Sequence, residues 1–210
     1  MDQTYSLFDD PPSGLETIPM VDADVKFMHG FYRPPQSTAL LKSLLEETQW
    51  RQESIVLWEQ ERLQPRLSAW YGDPQSVYTY SGKRFHPLPW TATLLAIKSD
   101  IERATAHQFN SVLLNLYRNE NDSVGWHSDA EQELGRMPVI ASLSLGETRT
   151  FRFRHKTRKE VKPVPIELTD GSLLLMAGET QKKWQHTITK ERAPREARIN
   201  LTFRTIRAPV

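Results

Sequence analysis

Three residues of this chain could hold one metal ion: His127 and Asp129 in Gly125-Trp126-His127-Ser128-Asp129, and His186 in Trp184-Gln185-His186. In an extended segment His127 and Asp129 share a face, because side chains alternate with period two. Two imidazoles and one carboxylate on one side of an ion leave three positions open, the arrangement expected of non-haem Fe(II) that binds a cosubstrate and dioxygen. Zinc on the same three ligands is the competing reading. The segment Arg198-Ile199-Asn200-Leu201-Thr202-Phe203-Arg204 separates the two. As a strand it puts Arg198, Asn200, Thr202 and Arg204 on one face and Ile199, Leu201 and Phe203 on the other. Two arginines facing the same way repel, and groups this costly to bury need an anion between them. The strand spans about 20 Å and each guanidinium leans inward by about 6 Å, leaving a gap for a molecule with a carboxylate at each end. That geometry favours 2-oxoglutarate over a single phosphate. A hydrolytic zinc site has no use for a dicarboxylate, so the arginine strand decides for iron.

The elements that must position these side chains are mainly short strands. Alternating or apolar runs bounded by turn residues predict strands over Ser111 to Tyr117, Val139 to Leu145, Thr150 to Arg154, Val164 to Leu168, Ser172 to Met176, Trp184 to Thr189 and Arg198 to Ile206. Upstream, Val25 to Tyr32 reads as a first strand. Ser37 is expected to cap a helix to about Gln49, with Leu40, Leu41, Leu44 and Leu45 as its apolar stripe. Pro89 is expected to open a second helix through about His107 that buries Leu94, Leu95, Ile97 and Ile101. The fold class is α+β, mainly β: a jelly roll with an N-terminal helical buttress. Residues 1–24 form a polar, proline-bearing arm expected to lack fixed structure, and 25–210 a single domain in which 50–86 is a recognition lid.

Composition agrees with one enzyme domain. At 210 residues the chain can bury a full core but has no room for a second catalytic module. It contains no run of eighteen or more apolar residues, no signal-peptide pattern and no internal repeat, so a soluble protein inside the cell is expected. With zero cysteines, disulfides and thiolate ligands are excluded. A net charge of +1 means that affinity for nucleic acid must come from local clustering. Such clustering is present: Arg149, Arg152, Arg154, Lys156, Arg158, Lys159 and Lys162 crowd one stretch, with Phe151 and Phe153 expected inward and the intervening arginines outward, where they can bind phosphates. A solvated hairpin face is the alternative for Lys156 to Lys162.

With Pro65-Arg66-Leu67, Ala69-Trp70-Tyr71-Gly72, Tyr78-Thr79-Tyr80-Ser81-Gly82, Asn115-Leu116-Tyr117, His127-x-Asp129, His186 and Arg198-x-Asn200-x-Thr202-Phe203-Arg204 in order and correctly spaced, the chain from about Trp50 onward resembles the AlkB family of Fe(II)/2-oxoglutarate-dependent nucleic-acid demethylases. Each motif is weak alone; the ordered set is specific. The resemblance implies a double-stranded β-helix that binds Fe(II) through His127, Asp129 and His186 and uses 2-oxoglutarate and O2. It further implies that Asn115, Tyr117 and Arg198 hold the distal carboxylate of 2-oxoglutarate, while Asn200 and Arg204 contact the end that chelates iron. The reaction implied is oxidative removal of N-methyl groups from 1-methyladenine and 3-methylcytosine, with formaldehyde released and 2-oxoglutarate converted to succinate and CO2. Asn115-Leu116-Tyr117-Arg118-Asn119-Glu120 with His127-Ser128-Asp129 is most similar to the branch that includes animal repair enzymes acting on single strands. One departure is Ala130, where close relatives carry a second acid, which bears on substrate preference rather than on iron.

Substrate recognition is expected on the ring-rich segment Trp50 to His86. A flipped base needs two flat walls, and stacking is worth roughly 1–3 kcal/mol per base. Tyr80 and the His127 imidazole are the candidate walls, with Tyr78 and Glu131 hydrogen-bonding the base and Arg66 touching the nucleic-acid backbone. Methylation at a ring nitrogen makes the base cationic, which a carboxylate at Glu131 would favour. Trp58 falls roughly where double-strand-acting relatives carry a wedge that fills the gap of the flipped base. Its neighbours Glu59, Gln60 and Glu61 would repel a duplex, which argues for single strands.

The expected partners are alkylated DNA and, secondarily, RNA, with no membrane and a monomeric enzyme. Tyr5-Ser6-Leu7-Phe8 faintly resembles peptides that grip a sliding clamp. The expected location is the cytoplasm of a bacterium, or the nucleus or cytoplasm of a eukaryote. Two other functions stay open: a 2-oxoglutarate-dependent hydroxylase of protein or lipid, and a catalytically silent nucleic-acid binder.

Overall fold

All seven residues of the strand Arg198–Arg204 are buried, and the fold is organised around that strand. The computed structural model describes residues 14–57, 60–80 and 83–207, and gives 55–57, 78–80 and 83–85 by their backbone alone. In chain order the elements begin with β1 (Glu16–Thr17), β2 (Asp24–Met28), α1 (Pro34–Glu47), β3 (Ser54–Leu57), β4 (Gln60–Leu63), β5 (Leu67–Gly72), β6 (Tyr78–Tyr80), β7 (Lys83–Phe85) and α2 (Ala92–Thr105). There follow β8 (Ser111–Tyr117), β9 (Val124–His127), a 3-10 turn (Gln132–Leu134), β10 (Ile140–Gly146), β11 (Arg149–His155), β12 (Val164–Leu168), β13 (Leu173–Ala177), α3 (Thr180–Lys183), β14 (Trp184–Ile188) and β15 (Arg198–Arg204).

A seven-stranded sheet runs β1-β2-β13-β10-β15-β8-β5, and a four-stranded sheet runs β12-β11-β14-β9. Central β15 pairs antiparallel with β10 on one side and β8 on the other. Its odd-numbered apolar residues, Ile199, Leu201 and Phe203, share a core with Leu44 of α1 and Leu94, Ile97 and Ile101 of α2. A second core holds Phe151 and Phe153 of β11 with Trp184 and Ile188 of β14. Each fully buried side chain of this size contributes roughly 1.5–3 kcal/mol, which locks the register of β15 and sends its polar face into the space between the sheets. This is the jelly roll with helical buttress that the strand pattern predicted. Among the described residues no helix is long and apolar enough to cross a membrane.

Several local expectations are corrected. Pro34 and Pro35 open α1, with Arg33 at its cap position, so Ser37 lies inside the first turn and is not the cap. Its buried hydroxyl donates to Asp170 Oδ2 at 2.6 Å, while Asp170 Oδ1 accepts from Gly146 N, tying α1 to the end of β10. Thr91, two residues after the expected Pro89, caps α2 by accepting from Leu94 N. Leu45 and Leu95 face solvent, on the outer sides of the helices. Residues 16–20 depart from the expectation of an arm over 1–24: Glu16 and Thr17 pair with β2, and Ile18 and Met20 pack on the second core. The clamp-like Tyr5-Ser6-Leu7-Phe8 lies outside the described residues.

The lid is also smaller than 50–86. β5 belongs to the seven-stranded sheet, so Tyr71 is a buried core residue with Trp50 packed against the same core, while Trp70 is buried on the other face with Leu134 and Ile206 and lines the cavity. What remains outside the barrel is a pair of hairpins, β3–β4 and β6–β7.

Candidate metal centre and cosubstrate cavity

The two histidines are brought together by strand pairing: His127 of β9 lies opposite His186 of β14. Between that pair and the pair Ile188–Val124 the register shifts, which marks a bulge in β9. Val124 and His127, three apart, consequently both line the cavity. Trp126 instead lies 4.2 Å beneath the exposed Arg154 guanidinium. A hydrogen bond of 2.6 Å from Thr187 Oγ1 to Val124 O holds the bulged strand on its partner.

The ligand atoms of His127, Asp129 and His186 lie within 4.8 Å of one another. His127 Nδ1 sits 2.8 Å from Gly125 O, which places the ring proton on Nδ1 and leaves Nε2 free to ligate. Asp129 Oδ1 accepts from Arg204 Nη2 at 2.7 Å, and Oδ2 faces His186 Nε2 at 3.9 Å. Burial would raise the Asp129 carboxyl, but Arg204, His186 and His127 outweigh it and hold the group below the usual carboxylate range. Burial, reinforced by His127, pushes His186 down to about 3, so it is a neutral imidazole. Two imidazole nitrogens from paired strands and one carboxylate oxygen from the residue two beyond β9 fit a divalent transition ion.

Arg198 is fully buried. Its Nη2 donates to Ser144 Oγ at 2.9 Å and Asn200 Oδ1 at 2.8 Å, and its guanidinium lies 5.2 Å from the Tyr117 ring centroid. Nε and Nη1 have no hydrogen-bond acceptor, and no carboxylate pairs with the group among the described residues. Burial lowers it to about 10, still a cation at neutral pH. A buried cation with open donors is a seat for an anion.

Between the sheets lies a cavity of ≈ 200 Å³ lined by the three candidate ligands together with Asn115, Tyr117, Asn200, Arg204, Arg66 and Glu131. Arg198 lies just behind Tyr117 and Asn200. Of the residues expected to contact the cosubstrate, Asn115, Tyr117, Asn200 and Arg204 line this cavity, while Arg198 is not in its lining and adjoins it through Asn200 and Tyr117. Asn200 takes Ser142 Oγ and Arg198 on its carbonyl and donates to Thr202 Oγ1, so it orients Arg198. Arg204 is engaged with Asp129.

Two expected positions are corrected. Arg66 is turned into the cavity wall, where Nε donates to Asn115 Oδ1 at 3.0 Å and Nη1 to Ser123 O at 3.4 Å. A guanidinium held there orients Asn115 through Nε. Arg149, counted with the exposed cations, is buried and spends its donors on Glu191 Oε1 and the carbonyls of Asn119, Asp122 and Thr189. By contrast Arg152 and Arg154 are exposed, flanking buried Phe151 and Phe153 as the alternation predicted. Glu131 lines the cavity at the start of the 3-10 turn. Tyr78 and Tyr80 lie on β6, their side chains outside the described residues, as is Trp58 altogether.

Sequence reasoning missed Ser142 and Ser144, which oppose Thr202 and Asn200 across the sheet. Their alternation with Leu143 and Leu145 was a readable signal of a polar inner face. It also missed Gln181, whose side chain accepts from Asp129 N. A glutamine in a four-residue helix has no periodicity to give it away.

A family model described as the 2OG-Fe(II) oxygenase superfamily matches residues 24–204. The chain is 47% identical over 185 residues to the human protein "Alpha-ketoglutarate-dependent dioxygenase alkB homolog 3", covering 84% of this chain and 64% of that one. It is 39% identical over 148 residues to "DNA oxidative demethylase ALKBH2" of Mus musculus, covering 68% of this chain and 62% of that one. Against the Arabidopsis thaliana protein of that name it is 31% identical over 209 residues, with 88% and 67% covered. The chain therefore spans just under two thirds of the length of the mammalian relatives. The solved structure titled "The structure of OsALKBH1" superposes with a TM-score of 0.61 at 16% identity, covering 93% of this chain and 100% of that one, which shows the shared fold.

Proposed function

This chain belongs to the 2OG-Fe(II) oxygenase superfamily, and from that premise we propose that it oxidatively demethylates N-alkylated bases in nucleic acid. The substrates are 1-methyladenine and 3-methylcytosine, in single-stranded DNA first and in RNA besides. The names of the relatives at 47% and 39% identity support this reading. The observation that carries the cosubstrate is Arg198, a buried cation with unfilled donors at the opposite end of β15 from Arg204, which bonds the Asp129 carboxylate of a two-histidine, one-carboxylate centre. Fe(II), when bound, supplies the activation of dioxygen coupled to decarboxylation of 2-oxoglutarate.

The residues of the chain do the rest. His127, Asp129 and His186 hold the ion, with the Asp129 carboxylate kept anionic by Arg204. Arg198, oriented by Asn200 and Ser144, takes the distal carboxylate with Tyr117 and Asn115, the latter steered by Arg66. Glu131, on the cavity wall, favours a base made cationic by methylation. Carbon balance is simple: the methyl carbon leaves as formaldehyde, and the keto acid leaves as succinate and CO2. By the same proposal the enzyme acts as a monomer inside the cell, where its polymer substrate is.

The test is to add Fe(II) and 2-oxoglutarate without oxygen, admit air, and follow formaldehyde and succinate on a single-stranded oligonucleotide carrying 1-methyladenine. The two products are expected in step. Succinate without formaldehyde would transfer the enzyme to another substrate, such as a protein or lipid, and neither product would leave a silent binder.

Affinity for the strand should depend on the outer face of the four-stranded sheet, where Arg154 covers Trp126 and Arg152 is also exposed. Each phosphate contact on a single strand contributes about 0.7 to the slope of log K against log salt. Arg154→Ala is expected to lower that slope by about this amount while leaving turnover at saturating substrate unchanged. An unaltered salt slope would show that the strand runs elsewhere.

A further inference from the structure

Behind the metal ligands a set of hydrogen bonds runs from Asp129 and Met176 on the cavity wall to the exposed Lys156. Gln181, 2% exposed, is the second residue of α3. Its Oε1 accepts from Asp129 N at 2.9 Å. Its Nε2 meets Met176 Sδ at 3.3 Å, and thioether sulfur is a weak acceptor. That pairing fixes the orientation of the amide: the reverse would point an NH2 group at the Asp129 N–H and lose the strong bond. The backbone carbonyl of Gln181 accepts from Lys156 Nζ at 2.8 Å, and the same ammonium donates to Ser128 Oγ at 2.9 Å. Lys156 N also donates to Lys183 O at 2.8 Å.

These bonds join the segments that carry the ligands. Ser128 and Asp129 follow His127 directly, beyond the end of β9. Gln181 precedes His186 by one short turn of helix. Asp129 therefore sits on a stretch without a sheet partner of its own, and the Gln181 carboxamide does for its backbone what a neighbouring strand does for His127. A ligand whose backbone is pinned loses little freedom when it takes a metal, and outer-shell hydrogen bonds of this type typically govern metal affinity by about 10–100-fold.

We propose that Gln181, assisted by Lys156, is a positioning residue that preorganises Asp129 for the metal, so that this clasp sets how tightly and how durably the ion is held. The inference rests on the reading of His127, Asp129 and His186 as the metal site. Its test is metal binding itself, independent of any substrate.

The measurement is Mn(II) affinity by electron paramagnetic resonance titration, with the rate of Mn(II) loss to excess chelator, on the full chain and three variants. Gln181→Leu keeps the bulk and removes the acceptor. Gln181→Glu keeps an acceptor for Asp129 N and loses the donor to Met176. Lys156→Met removes the tie from Ser128 to the Gln181 carbonyl. Gln181→Leu is expected to weaken Mn(II) binding by about 10–100-fold and to speed its loss correspondingly. Gln181→Glu should stay within a few-fold of the parent, and Lys156→Met should fall between. Circular dichroism melts report the fold. A folded Gln181→Leu protein with the parent's affinity overturns the proposal, as does a Gln181→Glu protein as weak as Gln181→Leu, since the bond accepted from Asp129 N would then not be what sets the affinity. Were Gln181→Leu not to fold, a Lys156→Met protein that retains the parent's affinity and chelator resistance would overturn it. A parent chain that binds no Mn(II) overturns the metal site itself, which is a different failure.

Discussion

His127→Ala is expected to abolish the proposed demethylation, by at least about 10³-fold in kcat/KM, while the protein unfolds within a few degrees of the parent temperature. The first half follows from ligation: a catalytic ion stabilises charge in the transition state by several kcal/mol, and each 1.36 kcal/mol is tenfold in rate. The second half follows from where His127 sits. It is half-buried at the cavity wall, its ring held by one hydrogen bond to a carbonyl two residues away. Removing it strands no buried charge but loses its edge-on packing against the His186 ring at 4.3 Å, a cost of about 1 kcal/mol. Asp129→Ala behaves differently. It would leave the Arg204 guanidinium, 5% exposed, without the carboxylate it bonds at 2.7 Å, and breaking such a pair from one side costs about 3–5 kcal/mol. Loss of activity in Asp129→Ala would therefore mix a ligand effect with a folding effect. Kinetics and thermal melts on both variants check this; a folded His127→Ala protein with parental turnover would remove the metal assignment.

That contrast between two ligands of one ion shows what the sequence made legible and what it withheld. The strand with period two carried its own instructions: Ile199, Leu201 and Phe203 can only be buried together against α1 and α2, so the arginine face must look the other way, between the sheets. Ser111–Tyr117 and Val164–Leu168 were bounded correctly for the same reason. Pairing across long separations left no such trace. Nothing local says that His186 will oppose His127, that a bulge will turn Trp126 outward, or that Arg204 will be spent on Asp129. Arg66 and Arg149 failed for a related reason. A charged residue in a polar stretch reads as surface, and only tertiary structure shows that Asn115 Oδ1 awaits the first and four acceptors surround the second. Trp70 and Tyr71 were counted as recognition rings because the strand that buries them, β5, reaches the large sheet only through its pairing with β8.

The same logic gives Arg198 an unusual pair of expected effects with opposite signs. In the ligand-free protein its guanidinium is fully buried, bonded through Nη2 to Ser144 and Asn200, with burial and a second cation, Arg149, disfavouring its charge against the partial support of Tyr117. Replacing a buried charge with an apolar side chain of similar length is commonly neutral or stabilising, by about 1–4 kcal/mol. The partners left behind are not orphaned: Asn200 Oδ1 keeps Ser142 Oγ, and the Ser144 hydroxyl is free to rotate. Arg198→Met should thus melt at the parent temperature or above it when no ligand is present. With 2-oxoglutarate and a divalent ion the order reverses. A ligand that binds only the folded state raises its stability by RT ln(1 + [L]/Kd), so the parent melting point climbs with 2-oxoglutarate. Truncating one side of a buried charge-assisted pair costs about 2–5 kcal/mol, or roughly 30-fold to several thousand-fold in affinity, and the variant's melting point should stay flat over the same titration. The two melts, with and without 2-oxoglutarate, separate a structural arginine from an anion seat. A structural Arg198 would lower the first and leave the second rising in parallel with the parent. An anion seat raises or preserves the first and flattens the second, because the stability withheld from the empty protein is what the distal carboxylate restores on binding.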